Sequence, residues 1–299
     1  MKTYQVLRGR GRRLVSDAWQ GTSKMYARDY EAWAREVRRR RDEALTRLSD
    51  TLGVDWHDCD LLDVGCGQRC TWSLVFGEFN RITAIDLDVV PHGLSPAAYL
   101  SMWRSNGTYR TAKTIARKLL GLDRKERLAL AHAATKPLVW PATLPMNAQK
   151  LTFPDHAFDG AFSFAVFEHI ADPRQALREL NRVIRPGGAV YLVAEIFTSI
   201  KGSHDPRLWG DAHAIPLWAH LRPSCDGMWS SNVFVNKLRL ADYETIARDE
   251  LDDARFFREE RGTRAFLNQL KPHERQELSA YTDEELCTQD LVIIGRTRR

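Results

Sequence analysis

The pattern of apolar and polar positions changes period several times along this chain. From Ser16 to Leu52, Trp19, Met25, Tyr26, Tyr30, Trp33, Val37, Leu45 and Leu48 recur at helical intervals, and Arg38 to Arg41 read as a solvated basic face. At Leu61-Leu62-Asp63-Val64 the pattern becomes a short apolar run that stops at Gly65-Cys66-Gly67. An amphipathic stretch follows, and a second run, Ile82-Thr83-Ala84-Ile85, closes on Asp86. Strand, glycine turn, helix, strand and terminal acid form half of a nucleotide-binding βαβ unit.

The alternation resumes after a long interruption. Phe158 to Ala165 reads as a buried strand, and Pro173 to Ile184 as an amphipathic helix with Ala176, Leu177, Leu180, Val183 and Ile184 on one face. Pro186-Gly187-Gly188 breaks the pattern before a further buried strand, Ala189 to Ile196. Residues 240–253 then predict a helix, 254–262 a strand, 264–286 a helical insertion and Asp290 to Gly295 a last strand. Such regular alternation predicts an α/β protein with a doubly wound, mostly parallel sheet.

Two segments fall outside that rhythm. Residues 1–52 predict a basic arm (1–13) followed by a helical lid that offers Tyr26 and Tyr30 to the site. The core then covers 53–299, interrupted at Val89 to Leu144, where Met102, Trp103 and Tyr109 point to a packed hairpin, a substrate cap or an oligomer contact.

Composition narrows the partners. Charged residues make up 28% of 299 and the formal net charge is +5, spread along the chain, which does not predict nucleic-acid binding. Cys59, Cys66, Cys70, Cys225 and Cys287 follow no disulfide framework, so reduced thiols in the cytoplasm are expected. No signal peptide or membrane-spanning run is visible, and a soluble protein is expected.

The glycine turn carries the chemistry. A dinucleotide fingerprint needs a third glycine where this chain has Cys70. Asp63, two residues before Gly65, suits a cationic ligand and would repel a pyrophosphate. The segment resembles motif I of the class I S-adenosylmethionine-dependent methyltransferases, with Arg69 where a further glycine is frequent. Asn147-Ala148, Leu151, Phe153-Pro154, Phe158-Asp159, Phe167-Glu168-His169-Ile170 and residues 182–188 follow in the order of the small-molecule type. The resemblance implies a seven-stranded Rossmann-like sheet closed by an antiparallel pair, with S-adenosyl-L-methionine as cofactor. It implies that Asp63, Gly65, Cys66 and Gly67 hold the methionine end, and Asp86 with Leu87 the ribose. Asn147 and Ala148 would flank the adenine, and Ser163, Phe164 and Ala165 the methyl side. Position 147 is more often Asp in this type, and Asn keeps a carbonyl acceptor for the adenine amino group.

Acceptor chemistry belongs to the loops after the fourth and fifth strands. The fourth carries Glu168-His169; the fifth (197–236) carries His204, His213 and His220 among Trp209, Trp218 and Trp229. Aromatic faces with imidazoles suit a polyhydroxylated acceptor, and a hydroxyl nucleophile needs a base, for which His169, His204 and His220 are the candidates, ahead of His213. His204, Asp205, Asp211 and His213 match no metal template, and no metal is expected. Residues 164–169 lack the Asp/Asn-Pro-Pro-Tyr/Phe of enzymes that methylate amino groups of adenine or glutamine. Residues 202–204, 216–223 and 281–296 are loosely similar to methyltransferases of glycan and cell-envelope assembly, a resemblance that implies O-methylation of a sugar or glycan-like hydroxyl. A lipid or secondary-metabolite acceptor and a non-catalytic cofactor-binding protein are the alternatives. Cys70 and Asp63 count against a nicotinamide dehydrogenase.

Overall fold

The structure, a computed structural model, describes residues 28–87, 96–231 and 233–298. The expected arm, Tyr26 and the first residues of the 89–144 insertion lie outside these, as do the side chains of Tyr109 and Trp209. The apolar runs form one seven-stranded sheet of order β3-β2-β1-β4-β5-β7-β6. Its strands are β1 (Asp60–Val64), β2 (Arg81–Asp86), β3 (Ala142–Pro145), β4 (Phe158–Phe164), β5 (Ile184–Glu195), β6 (Leu251–Glu259) and β7 (Asp290–Thr297). β1 to β5 pair in parallel, and β7 runs antiparallel between β5 and β6. The strand order reverses between β1 and β4, which opens a crevice beyond their carboxyl ends.

Strand alternation gives the sheet two dry faces. Leu62 and Val64 of β1 join a core with α5 (Pro173–Val183) and α6 (Leu240–Glu250). Leu61 joins a second core beneath α1 (Tyr30–Leu52) and α2 (Thr71–Phe76). α5 is nucleated by Asp172, whose carboxylate accepts the Gln175 N–H at 3.0 Å, and by Pro173 at its start. Leu177 and Leu180 are buried on its inner face, and each such side chain contributes about 1.5–3 kcal/mol.

Three boundaries differ from expectation. Ile184 belongs to β5, where it pairs with Phe158, and Pro186-Gly187-Gly188 bulges within the strand. A Cβ on Gly188 would stand 2.5 Å from the Asp159 carbonyl oxygen, so the bulge requires glycine. β6 starts at Leu251, with a bulge at Asp253 (φ +53°) that β7 holds in register; paired aspartates otherwise mark a turn. β3 starts at Ala142, inside the stretch assigned to the insertion, and is too short and exposed to leave an apolar pattern.

α1 carries the clearest correction. Arg38 and Arg41 are not a solvated face: they lie inward, one helical turn apart, beside Ala34, Val37 and Ala44. Both guanidinium groups donate to Glu78 Oε2, at 2.5 and 3.1 Å. Thr135 donates its N–H and hydroxyl to Oε1 at 2.6 and 2.7 Å. Burial pushes the Glu78 carboxyl up, but these bonds outweigh it and hold it at about 2. Arg39 remains exposed and pairs with Glu36 and Glu43 on its own helix.

The described part of the insertion is a hairpin of α3 (Pro96–Leu119) and α4 (Leu122–His132). Buried Glu126 of α4 receives Arg28 at 3.1 Å and Arg69 of the glycine loop at 2.5 Å. The 264–286 insertion comprises α7 (Thr263–Leu267), α8 (Pro272–Glu277) and α9 (Asp283–Cys287), packed on the loop after β5 through Ile200, Trp218, Leu278 and Leu286. Among the described residues, no helix is long and apolar enough to cross a membrane.

Candidate cofactor and acceptor site

At the switch point the loop after β1 is built almost entirely from backbone. The Gly65 and Cys66 N–H groups donate to the Ile85 carbonyl of β2 at 2.8 and 3.1 Å. Gly65 has φ +78°, and a Cβ there would stand 2.4 Å from the Val166 side chain of the β4 loop. Gly67 has φ +63° with open space around it, and its N–H donates to Asp86 Oδ2 at 2.9 Å. The carboxylate expected at the ribose therefore also ties the loop to β2. Cys70 takes the place of a third glycine with φ +47°, its thiol directed to the Gly67 carbonyl at 3.7 Å. Cys66 is buried beside it.

Asp63 is 1% exposed and takes a hydrogen bond from the Ser73 hydroxyl of α2. Burial pushes its carboxyl up to about 7, against the Ser73 bond and reinforced by the Asp86 charge. Leu87 is exposed at the tip of β2. The Met146 N–H donates to the Asp86 carbonyl at 3.1 Å, which brings the β3 loop alongside. There Asn147 Oδ1 accepts the Gln149 N–H at 2.9 Å, so one lone pair of the expected adenine acceptor is already engaged. Ala148 packs against the edge of the core.

The β4 residues divide. Ser163 has no exposed surface and donates to the Val64 carbonyl at 2.8 Å, bonding β4 to β1 rather than lining the crevice. Phe164 stacks on Trp72 of α2, centroids 3.8 Å apart. Ala165, with φ +55°, is the exposed member of the three.

Beyond it the titratable groups converge. His169 Nδ1 bonds to the Phe234 carbonyl at 2.7 Å, which makes it the protonated nitrogen and leaves the Nε2 lone pair 3.9 Å from Glu168 Oε1. The His169 and His204 ring centroids are 4.8 Å apart. His204 Nε2 lies 3.5 Å from Glu195 Oε2 at the end of β5. His220 Nε2 meets the Phe197 carbonyl at 2.8 Å, and the ring packs on Phe197 and Trp229. Burial lowers all three imidazoles, His204 and His220 to about 4. Burial and the Glu195 charge push Glu168 well above the carboxylate range.

Other expected members are elsewhere. His213 is exposed and bonds Gln269 at 2.9 Å. Asp205 is taken up by Arg207 and the Ser230 N–H, so the set of His204, Asp205, Asp211 and His213 does not assemble. Trp218 is buried, with its indole N–H donating to the Thr198 carbonyl at 3.1 Å, and offers no face to an acceptor.

Known proteins resemble parts of this chain. Residues 105–192, from α3 into β5, match the family described as Methyltransferase domain. A tRNA U34 carboxymethyltransferase of Cellvibrio japonicus is 30% identical over 122 residues, covering 38% of each chain. A malonyl-[acyl-carrier protein] O-methyltransferase of Erwinia pyrifoliae is 30% identical over 104 residues, 35% of this chain and 36% of that one. Over these segments the chain is similar to methyltransferases. A SAM-dependent methyltransferase from Methanosarcina mazei aligns at TM-score 0.42 with 19% identity, covering 81% of this chain and 93% of that one. The matched segments span well under half the length of the two curated relatives.

The groups at the strand-end crevice able to hold a cofactor are the Gly65 and Gly67 backbone, Asp63, Asp86 and the Asn147–Ala148 turn. A separate hollow lies between the glycine loop and the helical hairpin, lined by Trp33, Gln68, Arg69, Lys118 and Trp140. None of the crevice residues borders it, and we assign it no cofactor contact. Sequence reasoning missed Val166, which abuts Gly65, and Glu195, which ends an otherwise apolar strand. Neither has a pattern of its own: one is an apolar loop residue, the other a lone acid.

Proposed function

We propose that this methyltransferase domain transfers the sulfonium methyl group of S-adenosyl-L-methionine to a hydroxyl of a sugar or glycan-like acceptor. The observation that carries this reading is the convergence of His169 and His204, rings 4.8 Å apart, beside Ala165 and the β1–β4 crevice. The acceptor oxygen attacks the methyl carbon in line, the carbon–sulfur bond pair stays on sulfur, and the hydroxyl proton passes to an imidazole. Much of the rate comes from alignment. His169 is the base we favour, because its Nε2 is unprotonated and its ring is partly exposed. His204 and His220, lowered to about 4, are weak bases in the free protein. Asp63 meets the cofactor ammonium in this reading, and Asp86 the ribose.

A second reading has a specific observation behind it. Met228, Val233 and Phe234 are exposed on the loop that carries the His169 partner, which suits an apolar lipid or secondary-metabolite acceptor. Calorimetry with S-adenosylhomocysteine, with NAD as control, tests the cofactor site: micromolar binding of the first alone is expected, and absence of binding overturns the reading. Turnover assays with nucleotide sugars against acyl substrates then separate the two acceptors. His169→Ala should lower kcat by about 100- to 10,000-fold if His169 is the base.

A further inference from the structure

We propose that Glu168, His169 and His204 bind one divalent transition-metal ion of the zinc class at the carboxyl ends of β4 and β5. One ligand atom from each lies within 4.8 Å of the others. Glu168 is 1% exposed, and neither carboxylate oxygen has a well-formed hydrogen-bond partner among the described residues. A buried carboxylate in that state costs free energy unless something arrives to pair it. His204 Nε2 is likewise buried without a hydrogen bond among the described residues, with Glu195 Oε2 at 3.5 Å. The Phe234 carbonyl holds His169 in the tautomer whose Nε2 lone pair faces inward, the arrangement that orients a ligating imidazole.

Two imidazoles and one carboxylate leave at least one coordination position open, as in hydrolytic zinc sites. Bonds of about 2.0–2.2 Å place tetrahedral ligand atoms about 3.4 Å apart, so atoms now up to 4.8 Å apart must close by up to about 1.4 Å. Side-chain rotation supplies that much. With the ion bound, His169 Nε2 is a ligand rather than the base, and an acceptor hydroxyl in the open position would lose its proton more easily, to water. That consequence rests on the methyl-transfer reading; the binding of the ion does not.

The test uses the full chain without an affinity tag, treated with a chelator and dialysed. Zinc is titrated by calorimetry and cobalt(II) by its visible absorption, with S-adenosylhomocysteine titrated in parallel. One ion per chain is expected, with Glu168→Gln and His204→Ala each weakening binding at least ~100-fold and His213→Ala leaving it unchanged. Circular dichroism checks the fold of each variant, and His169→Ala reads the same site if one of the others fails to fold. Absence of stoichiometric binding by the wild type, or unchanged binding in the ligand variants, overturns the site. A chain that binds S-adenosylhomocysteine but no ion removes only the metal, and the reverse result removes only the cofactor reading.

Discussion

Two glutamates, Glu78 beneath α1 and Glu168 at the end of β4, are 4% and 1% exposed, yet they are treated in opposite ways. Glu78 accepts from Arg38, Arg41 and both donors of Thr135, and its carboxyl is held at about 2. Glu168 has two imidazoles and a second carboxylate nearby, no well-formed hydrogen bond, and a carboxyl pushed well upward. The first is a closed ion cluster that joins α1, the loop after α2 and the start of the β3 approach. The second is a cluster still open to a ligand. Burial alone distinguishes neither; the satisfaction of the buried group does.

The largest effect should come from opening the closed cluster. Glu78→Gln leaves Arg38 buried without its counter-charge and Arg41 with Asp42 alone, and breaking such a buried pair costs about 3–5 kcal/mol. Urea unfolding checks it; a loss below about 1 kcal/mol would remove the contrast. The sign with pH follows from the lowered carboxyl. The Glu78 contribution is complete above its ordinary value of 4.5 and is lost as pH falls towards about 2. The variant should therefore show a shallower acid limb than the wild type over that window.

Next comes the switch point. Gly65→Ala places a methyl group 2.4 Å from Val166 at φ +78°, whereas Gly67→Ala meets nothing within 4 Å. Both substitutions bear the left-handed backbone cost of about 1–2 kcal/mol. Only Gly65→Ala must also displace the β4 loop. S-adenosylhomocysteine affinity should fall at least ~100-fold for Gly65→Ala, and about tenfold for Gly67→Ala, given that every 1.4 kcal/mol is a factor of ten. Equal losses would mean that contact with Val166 is unimportant.

A smaller effect separates charge from shape at Asp63. Its carboxyl, raised from 3.8 to about 7, holds a proton below that pH in the cofactor-free protein. An ammonium partner requires the ionised form, so binding releases the proton. Affinity should then rise by up to about tenfold per pH unit below pH 7 and level off above it. Asp63→Asn should bind more weakly, with no such slope. The same shift means that the cofactor-free fold loses stability as pH rises from 3.8 to about 7, because the native state holds the proton more tightly than the unfolded chain. Calorimetry between pH 6 and 8 measures the first effect.

What was legible in the sequence follows from how each part is built. The glycine turn between β1 and β2 rests on backbone conformations that only certain residue types tolerate, so Gly65, Gly67 and the strand-terminal Asp86 are visible as a pattern. Doubly buried strands likewise show as apolar runs, and they reveal the α/β architecture and its antiparallel closing pair. Side-chain roles are harder to read. Ser163 and Trp218 each bond a carbonyl inside the fold, and nothing in their neighbours distinguishes that from facing a ligand. Arg38 and Arg41 look solvated within a basic run, until the three-residue spacing aligns them with Ala34, Val37 and Ala44. The Glu168–His204 meeting spans two loops, and residue spacing carries no record of it.

The smallest predicted change sharpens the contrast most. In the metal-free protein Glu168→Gln replaces a carboxyl group that burial pushes well above its ordinary range with a neutral amide of the same shape. No ion pair is broken and no cavity is left, so stability should change by less than about 1 kcal/mol. Glu78→Gln, chemically the same substitution at similar depth, should cost several times more. Side-by-side unfolding of the two variants compares them directly. A loss at Glu168 as large as that at Glu78 would mean that its carboxylate already supports the fold, and the cluster would then be structural.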